Sequence, residues 1–343
     1  MGEMAMEKEE ILKGLERYKA MTIEQVIDVI LGGEARRGYY LVDRLRKEKM
    51  VRVERVPWDA KKKYAVLTRR GAEEVKGRSN IKTHEYYVKR EELEEILKAN
   101  EIFRITKKVG VDEIIGRREA LEELKIPANK SSVKWMVDVC GRRYAIYIRD
   151  KWGKEMAEKG MLNSMGKDMG HIVVYEKREY YNADRRDWLT NMPAAKLYLV
   201  MIEEMGEMLR MLKEQEVVWR ENVGKLKVHV GSGELVKLKD APVRYAWEKN
   251  GKRMLLSDVT DGNVHEPAML MKRTKEELKE RWGAEGVVFF VRGVKEARVW
   301  GRLLGYKEFH YFLAKDEGDL YRALGGKVVL MRKGGDSDQV VTG

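Results

Sequence analysis

A chain of 343 residues is longer than one hydrophobic core usually organises, so two or three domains are expected, and 43% apolar residues suffice to bury their cores. Cys140, the single cysteine, excludes an intramolecular disulfide framework and a cysteine-rich metal site. No apolar run approaches the ~18 residues of a membrane span and the opening MGEMAMEKEE lacks a signal-peptide pattern, so a cytoplasmic protein without a membrane partner is expected.

The formal net charge of +12 selects polyanions as partners. A charged fraction of 37% with only Gln25, Gln215 and Gln339 as glutamines is thermophile-like, although 19 methionines pull the other way. The charge is not spread evenly: between Gly33 and Arg70 stand 13 Lys/Arg and 5 Asp/Glu, which places +8 of the +12 in 38 residues.

In chain order, EEILKGLERYK carries Ile11, Leu12, Leu15 and Tyr18 at helical spacing. Thr22 and Gln25 give TIEQVIDVIL a capping-box start, and Gly32–Gly33 ends it. A third helix, Arg36 to Lys49, is expected to bury Tyr40, Leu41 and Leu45 and to show Arg36, Arg37, Arg44 and Arg46 to solvent. Alternating VRVERV and YAVL flank the basic turn PWDAKKK, and Thr68 starts a closing helix. Three helices, a basic-tipped hairpin and a fourth helix over residues 1–78 read as a winged helix-turn-helix that binds duplex DNA. Its third helix would enter a major groove with Arg36, Arg37, Tyr39, Arg44 and Arg46, while Lys61, Lys62 and Lys63 reach backbone phosphate.

Beyond the linker GRSNIKTHEYY the pattern turns to strands and helices. VKWMVDVCGRR (133–143) returns as VRYAWEKNGKR (243–253) at an offset of 110, and EEMGEMLRML (203–212) matches KDEGDLYRAL (315–324) at an offset of 112. Both matches point to an internal duplication, residues 79–216 and 217–332, ahead of a disordered tail over 333–343. The first copy reads as strands FRITKKV, VKWMVDV and RYAIYIR, helix KEMAEKGMLNSM, strands HIVVYEK and LYLVMI, and helix GEMLRMLKEQ. The second reads as strands LKVHV, VRYAWEK and RMLLSDV, helix MLMKRTKEELKERW, strand VVFFVRG, helix KEARVWGRLL, strand FHYFLA and helix GDLYRAL. The expected class is thus α/β (α+β), with a winged helix followed by two restriction-endonuclease-like lobes.

The order of winged helix, HEYYVKREELEEIL and paired strands around a GRRYAI turn resembles the replication-relaxation proteins of mobile elements, of archaeal plasmid or virus type, over most of residues 5–210. The resemblance implies an acid opening each hairpin and another on its second strand. Those slots hold Trp135 and Tyr147 in the first copy, and Tyr245 with Ser257 or Asp258 in the second. Asp258, Asp261, Glu266 and Lys272 are therefore the one cluster for an Mg²⁺ alternative, with Asp258 and Lys272 as alternative catalytic groups. Against it stands a loop, SDVTDGN, whose side chains satisfy turn amides. No cofactor is expected otherwise, and the five isolated histidines lack zinc spacing.

KREYYNADRRDW interleaves Lys177, Arg178, Arg185 and Arg186 with Tyr180, Tyr181 and Trp188, the chemistry of a surface that binds phosphate and stacks bases, or equally of an aromatic anchor at an interface. The expected function is a double-stranded-DNA-binding protein of a plasmid- or virus-like element, with degenerate lobes that extend the contact or recruit a protein partner. The alternatives are an Mg²⁺-dependent nuclease acting through the second lobe and a protein-binding adaptor. Homo-oligomerisation stays open.

Overall fold

The structure, a computed structural model, describes residues 2–127, 133–149, 169–191 and 196–331. The helix expected from KEMAEKGMLNSM and the tail lie outside the described residues. The protein is mixed α/β with three sheets, and it divides into two compact units, Met1–Gly110 and Val111–Gly343.

In the first unit α1 (Gly2–Tyr18) is followed by β1 (Ala20–Thr22), α2 (Ile23–Gln25) continuing as a π-helical turn (Val26–Ile30), and α3 (Ala35–Lys47). Then come β2 (Val51–Val56), β3 (Asp59–Leu67) and α4 (Arg69–Lys76). Thr22 and Gln25 form the capping box, the Gln25 amide donating to Thr22 Oγ1 at 3.1 Å and the Thr22 amide to Gln25 Oε1 at 2.9 Å. Strand β1 pairs antiparallel with β3, so the small sheet runs β1-β3-β2.

On α3 the buried stripe is Gly38, Leu41, Val42 and Leu45, an i, i+3, i+4, i+7 set. Gly38 fixes this phase, because a Cβ there would meet Ile27 Cγ1 at 2.4 Å. Tyr40, expected in the core, is consequently outside the stripe and 57% exposed.

The unit extends past residue 78, the boundary read from the linker. After a single turn, α5 (Thr83–Tyr86), the long helix α6 (Arg90–Val109) lays Leu93 and Leu97 on Ala20, Val56, Tyr64 and Val66. Asn100 Nδ2 donates to the carbonyls of Tyr18 and Ala20, and Gln25 Nε2 to that of Leu97. FRITKKV, expected as a strand, is the end of this helix: Ile102, Phe103 and Thr106 are buried at helical spacing, and Gly110 closes it at φ 67°.

The second unit holds two sheets. The five-stranded sheet is β4 (Glu113–Gly116), β5 (Trp135–Val139), β6 (Arg142–Arg149), β7 (Gly170–Tyr175) and β8 (Lys196–Met201), in chain order. Between the strands stand α7 (Arg117–Glu123) and α8 (Arg178–Asn191), and α9 (Met205–Lys213) follows β8. After α10 (Gln215–Val230) comes the seven-stranded sheet: β9 (Glu234–Lys237), β10 (Tyr245–Lys249), β11 (Lys252–Asp258), β12 (Ala284–Val291), β13 (His310–Ala314), β14 (Leu320–Leu324) and β15 (Lys327–Leu330), also in chain order. Helices α11 (His265–Met271) and α12 (Lys275–Trp282) cross from β11 to β12, and α13 (Val294–Leu303) crosses to β13.

The first five strands of both sheets share one scheme, two antiparallel pairings followed by two parallel ones. The hairpins behind the offset of 110 match in register: Trp135 faces Ile146 as Tyr245 faces Leu256. Their turns match too, with Cys140 and Gly141 at φ 53° and 72° and Asn250 and Gly251 at φ 51° and 74°. Two successive positive φ values give the twist that a two-residue hairpin requires.

The match at an offset of 112 fails. Met205–Lys213 is helix, whereas GDLYRAL forms β14, so Arg210 and Arg322 occupy different elements. LKVHV is likewise the end of α10, whose buried Trp219, Asn222, Val223 and Leu226 recur at helical spacing. MLMKRTKEELKERW is two helices, divided where Thr274 caps the second through the Glu277 amide. One face of the seven-stranded sheet, with Ala246, Leu255, Val287 and Phe289, shares a core with the five-stranded sheet. The other, with Tyr245, Trp247, Leu256 and Phe290, is covered by Trp219, Val223 and Leu226 of α10.

Candidate functional site

The basic surface of the first unit is built by α3 and the β2–β3 hairpin. Arg36 is exposed and makes no ion pair among the described residues, beside the exposed Tyr39 and Tyr40. Other arginines of α3 are tied to local acids: Arg37 to Glu7 at 2.8 Å, Arg44 to Glu48 at 3.1 Å, and Arg46 to Asp43 at 2.6 Å. Lys61, Lys62 and Lys63 lie exposed on β3, with Lys62 Nζ 3.6 Å from Asp59 and the Lys61 amide donating to the same carboxylate. Lys63 faces Arg55 directly across the hairpin. Like charges in directly opposed positions destabilise a strand pair. Trp58, which no sequence motif singled out, stands at the tip and is 48% exposed.

In the second unit the loop after β11 joins the two sheets. Leu199 N–H donates to the Gly262 carbonyl at 2.8 Å and Val264 N–H to the Leu197 carbonyl at 3.1 Å, so the loop occupies the edge of β8. Here lie the acids considered for Mg²⁺. Asp258 is 4% exposed, and its carboxylate accepts four hydrogen bonds: from Asn222 Nδ2, Lys315 Nζ, the Thr260 amide and Thr260 Oγ1. Four bonds use the lone-pair sites of a carboxylate.

Asp261 accepts from the Asn263 amide at 2.8 Å, and Asn263 in turn accepts from the amides of His265 and Glu266, as in an Asx turn. Burial, reinforced by the Asp258 charge, pushes the Asp261 carboxyl well above its ordinary range. Burial also pushes Glu266, which accepts from Ser257 Oγ at 3.0 Å, up to about 7. A carboxylate whose lone-pair sites are filled, beside two buried acids whose charged forms are disfavoured, is a poor donor set for a hard cation, and the residues do not fit Mg²⁺. No group of three or more His, Cys, Asp or Glu residues is placed to hold a metal among the described residues. Lys272, the alternative catalytic base partner, is exposed at the end of α11 with no bond to Asp258; the lysine that reaches Asp258 is Lys315, from the end of β13.

The corresponding slots of the first sheet are sealed. Tyr147 is fully buried and shares a hydrogen bond of 3.1 Å with His171 Nδ1, and burial lowers His171 to about 4. KREYYNADRRDW forms most of α8, and the side chains nominated there divide. Arg178 is exposed and paired with Glu204 at 3.1 Å, and Arg186 is exposed. Arg185, nominated for DNA, is instead 7% exposed, with its guanidinium 4.0 Å from the Trp300 ring of α13. Asp184 beside it is buried against Arg149 and Tyr175. The inner face of α8 therefore anchors one sheet's helix layer to the other's, because its aromatic and basic residues recur at helical spacing toward the core. Comparisons with family models, with curated proteins and with solved structures return no match to this chain.

Proposed function

We propose that this chain is a double-stranded-DNA-binding protein. In this reading residues 1–78 are a winged helix-turn-helix, with α3 in the major groove and the β2–β3 hairpin as the wing. The two sheets of the second unit are then the duplicated, degenerate lobes of a restriction-endonuclease-like fold, which extend the contact or recruit a protein partner. A role in the replication, mobilisation or transcription of a plasmid- or virus-like element follows from the resemblance to replication-relaxation proteins.

What supports the reading is the hairpin: three consecutive exposed lysines on β3, one of them opposed to Arg55, form a cationic surface that Asp59, 3.6 Å from Lys62, offsets only in part. Phosphates spaced along a duplex supply the remaining neutralisation and release counterions as they do so. The second unit is assigned no hydrolytic step, because the loop carboxylates are engaged by Lys315, Asn222, Thr260 and Ser257.

A gel-shift titration of the full chain on linear duplex, with a parallel incubation of supercoiled DNA in Mg²⁺, tests this. The reading expects salt-sensitive retardation and uncut DNA. Failure to retard duplex at low salt overturns it, and cleavage lost in Asp258→Ala assigns the nuclease class instead.

A further inference from the structure

One exposed apolar side chain is ordinary on a protein surface, but Trp58 stands in an unusual setting. The other tryptophans with described side chains are buried or half-buried, whereas this indole is 48% exposed, and no aromatic ring or cation packs on it among the described residues. It occupies the second place of the two-residue turn between β2 and β3, where Val56 pairs with Asp59. Pro57 fixes the backbone φ just before it, so the ring is carried on a short, stiff tip rather than on a loose loop.

Cations stand directly behind that tip. Arg55 faces Lys63, and with Val56 on Asp59 this leaves Ala60, Lys61 and Lys62 bulging from the ladder on the β3 side. The Lys61 amide donates to Asp59 Oδ1 at 3.2 Å, which ties the start of the bulge to the turn. Arg55 and the three lysines are all exposed, with Asp59 beside Lys62 at 3.6 Å as a partial offset. A flat apolar ring ahead of cationic side chains fits a polyanion that carries flat apolar faces between its charges. Nucleic acid has that arrangement, with phosphates outside and base faces within. In an intact duplex each face is covered by its neighbour, and opening a step has a cost. At an unpaired base that cost is already met.

We propose that Trp58 stacks on a base where a duplex is interrupted by an unpaired or mismatched base, while Arg55, Lys61, Lys62 and Lys63 hold the phosphates on either side. The proposal rests on the duplex-binding reading above and narrows its substrate from any duplex to one with a break in its stacking. Every base offers a face to an indole, so the preference follows DNA structure rather than sequence.

The test is fluorescence anisotropy of the full chain with a labelled intact duplex and with the same duplex carrying one unpaired base. The interrupted duplex should bind about tenfold tighter, the gain expected from one base stacked on an aromatic ring. The ratio should hold from low to moderate salt, because stacking releases no counterions, while both affinities fall. Trp58→Ala replaces a surface side chain, should keep a Tm near that of the wild type, and should bring the ratio close to one. Trp58→Phe, with a smaller ring, should keep a ratio of about three. With 2-aminopurine at the unpaired position, the wild type should quench its fluorescence and Trp58→Ala should not. Equal wild-type affinities for the two duplexes, or a ratio unchanged in Trp58→Ala, overturn the proposal and leave duplex binding standing. Binding to neither duplex at low salt overturns both.

Discussion

Asp258 and Lys315 set the energetics of the second unit's loop. Their side chains are 5% and 16% exposed, so removing one leaves the other charge buried and unpaired. Lys315→Met should cost about 3 kcal/mol in chemical denaturation, and adding Asp258→Asn should return part of the loss. A loss under about 0.5 kcal/mol would mean that solvent already compensates Asp258. Glu266 makes a pH prediction. Its folded value of about 7 lies above the ordinary 4.5, so the native state keeps a proton that the unfolded chain has lost between those values. Its contribution is complete below pH 4.5 and is lost as pH rises through 7. Glu266→Gln should match the wild type near pH 4.5 and exceed it by about 3 kcal/mol at pH 8; parallel stability curves would refute the assignment. Sequence alone brought out Asp258, Asp261 and Glu266 and the turn-satisfying role of their loop, because Asx turns are local. It could not bring out Lys315 or Asn222, which reach Asp258 from elements 57 and 36 residues away. Arg185 was visible as a basic residue among aromatics, but its burial depends on Trp300, which only the tertiary fold supplies.

At the scale of elements, glycines separate local from tertiary demands. Gly251 has φ 74° in the hairpin turn with open space around it, while Gly262 has φ 80° and would place a Cβ 2.1 Å from the Leu199 carbonyl oxygen. Gly251→Ala should therefore cost about 1 kcal/mol, from strain alone. Gly262→Ala should cost at least about 2 kcal/mol more, because it also breaks the join to β8. Equal losses in thermal unfolding would show that the join contributes little. The hairpins were legible in sequence because strand alternation and turn residues act over a few positions. FRITKKV and LKVHV alternate just as well but belong to helices, since each continues a buried helical stripe that begins two or more turns earlier, at Leu93 and at Trp219. GDLYRAL shares letters with the α9 helix, yet antiparallel pairing with β13 and β15 makes it a strand. Propensity in so short a segment yields to the sheet edge available to it.

At the scale of the whole molecule, the sequence disclosed the mixed α/β class and the charge excess of residues 33–70, while the boundary at Gly110 depended on where α6 packs. The excess is partly cancelled on α3 by Glu7, Asp43 and Glu48, so Arg36 and the hairpin lysines carry what remains for a polyanion. The central claim, duplex binding through that edge, meets its most direct test in the salt dependence of affinity. Fluorescence anisotropy of a labelled duplex should be recorded from low to moderate salt with the full chain and with Lys61→Ala/Lys62→Ala/Lys63→Ala. Loss of two to three phosphate contacts should weaken binding to every sequence and flatten the slope of log K against log salt by about 2. An unchanged affinity and slope in the triple variant would contradict the account.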